Sequence, residues 1–237
     1  MSLRKFMIWQ HQGYLSCLIF KRKALKLRKF NENSIVLATH NIGKFEEMKK
    51  LLDDGTRGVS VYSSNEFEID EPEEVGHTYI ENAQIKARYS AEKTGLVCLS
   101  DDSGIEVDGL DGAPGVYTAD WAETKTGRNF EYAMRKVWNA LDSKEVPFPR
   151  KARFVCTLVL VWPDKHEEVF EGKANGTLTW PGRGLNGHGF DPIFIPTSYK
   201  ITYGEMDRWE KNRISHRAIA FQKMIKQCFK DHEKSAN

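Results

Sequence analysis

This chain of 237 residues has few cysteines, no long apolar run, no internal repeat and no low-complexity tract. Each absence excludes something. The four cysteines, Cys17, Cys98, Cys156 and Cys228, are far apart, and three of them lie in apolar runs. That spacing fits neither a zinc site nor a disulfide framework, so they read as buried free thiols in a reducing, cytoplasmic setting. The best apolar candidate for a membrane segment, residues 6–20, is interrupted by Gln10, His11 and Gln12. It falls short of the roughly 20 residues that span a bilayer, so stable membrane insertion is not expected.

What is there is ordinary in bulk: 40% hydrophobic and 29% charged residues, in a chain long enough for one large or two small domains. The net charge of +2 hides an asymmetry. Residues 1–33 hold eight Lys/Arg and one acid, Glu32, which leaves the rest of the chain net acidic. An acidic body argues against a nucleic-acid-binding surface spread over the fold. The basic leader lacks a small-residue cleavage site after its apolar part, so a secretory signal is not expected. It reads as an extension outside the catalytic domain, with an organelle-targeting or membrane-surface role as the alternative. The domain that carries function is set at residues 34–231.

Within that domain, apolar runs and helical periodicities alternate. SIVLA (34–38) suits a strand buried on both faces. Phe45, Met48, Leu51 and Leu52 recur at helical spacing. Residues 59–63 read as a second strand, and an acidic loop follows. Thr78 and Glu81 form a capping box for a helix that Gly95 ends. Then come a short buried strand at 96–99, a helix over 128–141, a long strand at 152–162 with antiparallel continuation at 167–180, and a last helix from Ser215 to about residue 229. Strands that alternate with helices and then pair with each other predict an α/β fold around a mixed sheet.

Three stretches spend stability. THNIGK (39–44) sets Lys44 where a strand–loop–helix junction points N–H groups and a positive dipole end forward. A cation there is mildly unfavourable, by roughly 0.3–1 kcal/mol, unless an anion sits in front. The pattern is far looser than a Walker loop, and a plain βα turn explains it equally well. In EKNRISHRAIAF (210–221) Ser215 is a good N-cap, yet His216 and Arg217 crowd the same helix start, with Lys211 and Arg213 just before. Two such places in a net acidic body favour a polyanionic ligand such as a di- or triphosphate. The third stretch, LSDDSG (99–104), sets Asp101 and Asp102 side by side after the strand at 96–99, at the carboxyl end where open α/β sheets bind ligands. Paired carboxylates there can hold Mg²⁺ together with phosphate oxygens, and Glu73 or Glu74 of the acidic loop is a further candidate. An ordinary turn accounts for the pair as well. GLNGHGFDPIF (184–194) adds glycines for close backbone approach, with His188, Phe190 and Asp191 either facing a base or, for Phe190, lying in the core.

These stretches, in this order, resemble the inosine triphosphate pyrophosphatase family, whose bacterial form is the XTP/dITP pyrophosphatase. The resemblance rests on LATHNIGKFEEM, EEVGHTYIENAQIKAR, SDDSGIEVDGLDGAPGVYTADWA, GHGFDPIF and EKNRISHRAIAF, and spans about residues 34–230. It implies an elongated long mixed sheet flanked by helices, with two lobes and a nucleotide cleft between them, in a homodimer. It implies Mg²⁺-dependent hydrolysis of ITP, dITP or XTP to the monophosphate and pyrophosphate, with no nucleic-acid partner. Carried over, Thr39, His40, Asn41, Ile42, Gly43 and Lys44 would hold the triphosphate. Glu73 and Asp102 would bind the metal, Asp102 also acting as the base on water. Ser103 and Lys211 would touch the nucleotide, and His188, Gly189, Phe190, Asp191, His216 and Arg217 would recognise the base. Two positions depart from the pattern: His40 stands where the family usually has Gly, and His188 where it usually has an aromatic. Neither touches the metal carboxylates or Lys44. The competing readings are a related pyrophosphatase with a pyrimidine or modified-nucleotide preference, and a nucleotide-sensing or RNA-binding protein that uses the basic leader.

Overall fold

Two long antiparallel ladders dominate the computed structural model, which describes residues 27–56 and 58–229. Strand β1 (Ser34–Leu37) is the apolar run near the start, enclosed from Ile35 onward. It hands over to α1 (Ile42–Gly55), whose N-cap Asn41 accepts the Lys44 N–H. Strand β2 (Ser60–Ser63) follows, then α2 (Tyr79–Thr94). Helix α2 opens on the expected Thr78/Glu81 capping box and ends at Gly95 in the left-handed conformation. Next come β3 (Cys98–Val107), β4 (Pro114–Gly115), the small hairpin β5 (Glu123–Thr124) and β6 (Gly127–Arg128), and α3 (Phe130–Ser143). Strands β7 (Lys151–Val161), β8 (Glu167–Leu178) and β9 (Phe194–Pro196) lead to α4 (Arg208–Ile214) and α5 (His216–Cys228), the last capped by Ser215.

The main sheet has seven strands in the order β2-β1-β3-β7-β8-β9, with β4 pairing β3. Strands β2, β1 and β3 run parallel, and every pairing from β3 onward is antiparallel. This is the predicted mixed sheet. Three apolar cores are strung along it. One joins α1 and α5 to β1, Leu99 and β7; a second sets the Ala83, Ala87 and Ala91 stripe of α2 on the opposite face. The third lies toward the far ends of β3, β7 and β8, under α3 and β9. Strands of 10, 11 and 12 residues thus run through cores at both ends, which gives the fold its length.

Three features differ most from expectation. Helix α1 is a full 14 residues from Ile42, longer than the roughly two turns that the spacing of Phe45, Met48, Leu51 and Leu52 predicts. The short α4, absent from the predicted elements, is capped by Asp207, which accepts from Trp209 and Glu210 N–H. Most consequential, β3 does not stop at Leu99 but continues through the acid pair to Val107. Charged side chains are rare inside a sheet, which is why DD reads locally as a turn; here each carboxylate finds buried partners. Residues 27–33 also belong to the folded body. Phe30 is buried, stacks on Phe229 with centroids 4.6 Å apart, and donates its N–H to Cys228 O at 2.8 Å. Cys98, Cys156 and Cys228 are free and buried, as expected, while Cys17 and residues 1–26 lie outside the described residues. Among the described residues no helix is long and apolar enough to cross a membrane.

Candidate active site

The site forms where the parallel part of the sheet ends. Register between β1 and β3 stops at Leu37 and Leu99, and β3 runs on against β7 alone. Asp101 and Asp102 therefore lie two and three residues past a carboxyl-terminal sheet edge, where β1 gives way to loop 39–41. Successive side chains in a strand point to opposite faces, so the sheet itself separates the two charges. Asp101 points to the α1/α5 face and Asp102 to the α2 face.

On the first face Asp101 is 1% exposed and surrounded by cations. Arg217 Nη2 donates to its Oδ2 at 2.8 Å, Lys44 Nζ to its Oδ1 at 3.3 Å, and Ser103 Oγ to its Oδ2 at 3.4 Å. Burial pushes this carboxyl up, but Lys44, Arg217 and Lys86 outweigh it and hold the group well below the usual carboxylate range. Arg217 is also nearly fully buried, and its Nη1 donates to Glu47 Oε2 of α1 at 2.8 Å. Its Nε and Glu47 Oε1 have no partner. Helices α1 and α5 are thus pinned to β3 by one guanidinium held between two acids.

On the second face Asp102 is far less compensated. It accepts the Ser103 N–H at 3.0 Å and a long bond from Asn82 Nδ2 at 3.4 Å, and its nearest cation, Lys86 Nζ, stands 4.0 Å away. Burial raises its pKa to about 6; Glu74 and Asp101 add to the rise, and Lys86 and Lys44 oppose it. Lys86 is itself buried on α2 and donates to Glu74 Oε1 at 3.0 Å. The three carboxylates near it outweigh its desolvation and keep its pKa raised. Glu74 is therefore the loop acid linked to Asp102, through Lys86, whereas Glu73, exposed like Glu74, makes no such bond among the described residues.

Among the described residues no cluster of three or more His, Cys, Asp or Glu could enclose a metal ion alone. An under-compensated buried carboxylate with acids on a neighbouring loop nevertheless suits Mg²⁺, which usually takes one or two protein carboxylates and completes its shell with water and phosphate oxygens. The residues fit a metal that arrives with an anionic ligand.

The remaining candidates divide. Thr39 is buried and His40 half-buried; Ile42 and Gly43 lie in the exposed first turn of α1. Asn41 spends its side chain as the cap of α1, and Lys44 reaches across to Asp101. Asp191 is buried: its Oδ2 takes Lys211 Nζ at 2.5 Å and the His188 N–H at 2.8 Å. Gly187 allows this, because at its φ of +73° a Cβ would sit 2.0 Å from the Asp191 oxygen. Gly189 turns the same loop and the His188 side chain is exposed above it. Phe190 does not offer a platform: it is 1% exposed and its ring meets Phe130 edge-on in the core. Arg217 does not project freely toward a base either, since both terminal nitrogens are spent internally. His216 lies flat on Phe154, with centroids 4.9 Å apart and Nδ1 unpartnered.

Sequence reasoning missed Glu47, Asn82 and Lys86 as members of this site. Asn82, Lys86 and Ser90 are buried polar residues at four-residue spacing beside the alanines of α2. Polar groups along a core stripe were the available signal.

A mixed-sheet α/β protein with an acid pair split across its sheet, a cationic loop and a cation-rich helix start has the charge arrangement that a polyanion accompanied by a cation would meet. Residues 35–227 match the Ham1 family, and the chain belongs to that family. It is 56% identical over 202 residues to a dITP/XTP pyrophosphatase of Ruegeria pomeroyi, covering 85% of this chain and 98% of that one. With the dITP/XTP pyrophosphatase of Agrobacterium fabrum it shares 49% over 213 residues, covering 85% and 99%. Among solved structures, a HAM1 protein from Coxiella burnetii matches with a TM-score of 0.75 at 36% identity, covering 82% of this chain and 98% of that one.

Proposed function

We propose that this chain hydrolyses the deaminated purine nucleoside triphosphates ITP, dITP and XTP to the monophosphate and pyrophosphate, in a Mg²⁺-dependent reaction in the cytoplasm, as a homodimer. Near-full-length identity to relatives bearing the name dITP/XTP pyrophosphatase supports the substrate class. The observation that carries the chemistry is the split of the acid pair: Asp101 is neutralised by Arg217 and Lys44, while the nearest cation to Asp102 stands 4.0 Å away.

In this reading Asp102 and Glu73 or Glu74 would hold the ion, which when bound neutralises phosphate charge and lowers the pKa of coordinated water. Asp102 takes the proton from the attacking water, a task for a carboxylate within hydrogen-bond reach of it. Lys44 and the N–H groups at the start of α1 bind phosphate oxygens. Phosphoryl transfer needs such positioning and charge stabilisation rather than a covalent intermediate. Lys211, held by Asp191, and Ser103 contact the nucleotide. The loop 187–189 and the start of α5 read the base. A donor presented there would meet the 6-oxo acceptor of hypoxanthine or xanthine, whereas adenine offers an amino donor in its place. A site built around such a bond can discriminate by about 10⁴–10⁵.

Pyrophosphate release from ITP, XTP, dITP, ATP and GTP, with and without Mg²⁺, tests the proposal. Faster turnover of ITP and XTP than of ATP, only with Mg²⁺, is expected. Equal turnover of ATP and ITP would sink it. Size-exclusion chromatography with light scattering checks the dimer.

A further inference from the structure

The acidic loop between β2 and α2 carries Glu73 and Glu74, yet it is joined to the rest of the site by few bonds. At its far end Gly76 N–H donates to Asn82 Oδ1 at 2.8 Å, and in its middle Glu74 takes Lys86. At its near end the strongest tie comes from another loop. His40 Nε2–H donates to the Ile69 carbonyl at 2.7 Å, and its Nδ1 lies 4.0 Å from Glu71 Oε1. The Ile69 N–H itself makes only a long bond, 3.5 Å, to Ser64 O. His40 sits between Thr39 and Asn41, in the loop assigned above to the triphosphate. No other side chain from that loop bonds the acidic one among the described residues.

We propose that His40 is a positioning residue that ties the triphosphate loop to the metal-ligand loop. The bond fixes where residues 69–74 begin, and so where Glu73 and Glu74 stand relative to Asp102. The phosphate-binding and metal-binding halves of the site are thereby held in one frame before any ligand arrives. Gly at this position would leave Ile69 O without its partner and the acidic loop anchored only from α2. The inference rests on the proposed function for the meaning of the two loops, while the contact itself, between His40 and the Ile69 carbonyl, does not depend on that reading.

The experiment compares wild type, His40→Gly and His40→Gln, since a Gln side-chain amide can donate to the same carbonyl. Hydrogen exchange at the Ile69 amide of the ligand-free protein is the first readout. The second is the Mg²⁺ concentration that gives half-maximal ITP hydrolysis. Loss of one such bond is expected to speed Ile69 exchange by about 3–10-fold in His40→Gly. The Mg²⁺ half-saturation concentration is expected to rise about tenfold, as when partners behind metal ligands are removed, and by more than kcat falls. His40→Gln is expected to restore most of both. Unchanged exchange in His40→Gly overturns the proposal. So does faster exchange with an unchanged Mg²⁺ requirement, or a Gln variant that behaves like Gly. A wild type that fails to hydrolyse ITP would instead sink the functional reading, and the exchange measurement would still decide whether His40 holds the loop.

Discussion

Asp101 and Asp102 are covalent neighbours with opposite electrostatic fates. The carboxyl on the α1/α5 face is matched by Arg217 and Lys44 and serves to hold those cations in place. Its neighbour faces α2 and keeps its charge for work. Asp102→Asn is therefore expected to lower ITP turnover by about 10²–10⁴-fold, the usual worth of a positioned base, and to leave the fold intact, because an Asn Oδ1 can still accept the Ser103 N–H. Asp101→Asn should act the other way round. Leaving buried Arg217 short of a counter-charge costs about 3–5 kcal/mol of stability. Parallel kinetics and urea unfolding of the two variants check both halves; a wild-type rate for Asp102→Asn would remove it from the role of base.

At the scale of elements, helix α5 begins with His216 and Arg217 side by side, both buried. Burial, then the Arg217 and Lys211 charges, push the His216 pKa well below its ordinary value. An unfolded His titrates near about 6.5, so between that value and the lower folded pKa the unfolded state binds more protons. Stability contributed by neutral His216 is complete above about pH 6.5 and is lost as pH falls below it, by about 1.4 kcal/mol per unit. His216→Phe keeps a flat ring on Phe154 and removes the titration. From pH 7.5 to 5.5, unfolding by urea should show wild type losing about 1.4 kcal/mol more than this variant; equal losses would show that His216 does not carry this dependence. The start of α5 was legible in the sequence through its Ser215 cap, as α2 was through Thr78, Glu81 and Gly95, because caps are local chemistry. The extent of β3 was not, since only partners from α1, α2 and α5 make an acid pair tolerable inside a sheet. For the same reason Phe190 could be read either as a base platform or as core, and Arg217 as a base-recognition group: burial of Phe190 depends on Phe130, and the inward turn of Arg217 on Glu47, far away in the chain.

At the scale of the whole molecule, the question is where the folded body begins. Charge composition sets the boundary at residue 33, but composition cannot see packing. Phe30 lies 5% exposed against Phe229, just past the end of α5, and Glu32 accepts the Trp162 Nε1–H at 3.0 Å. Arg28 lies over the Trp162 ring at 4.7 Å and pairs with Asp164 at 2.6 Å. Residues 28–32 thus cover the end of the α1/α5 core and tie the approach to β1 to the turn between β7 and β8. Two truncations separate the boundaries: one starting at Leu27 and one at Asn33. They differ only in residues 27–32, so nothing about residues 1–26 enters the comparison. Removing a buried Phe costs about 3–5 kcal/mol, and a protein of this size shifts in Tm by roughly 2–4 °C per kcal/mol. The shorter form is therefore expected to melt roughly 6–20 °C below the longer one. The candidate site lies at the other end of β1, so ITP turnover at a temperature where both are folded should agree within about twofold, since distant sites act independently. Equal melting temperatures would return the boundary to residue 33. A selective loss of turnover in the shorter form would mean that this segment reaches the site through β1.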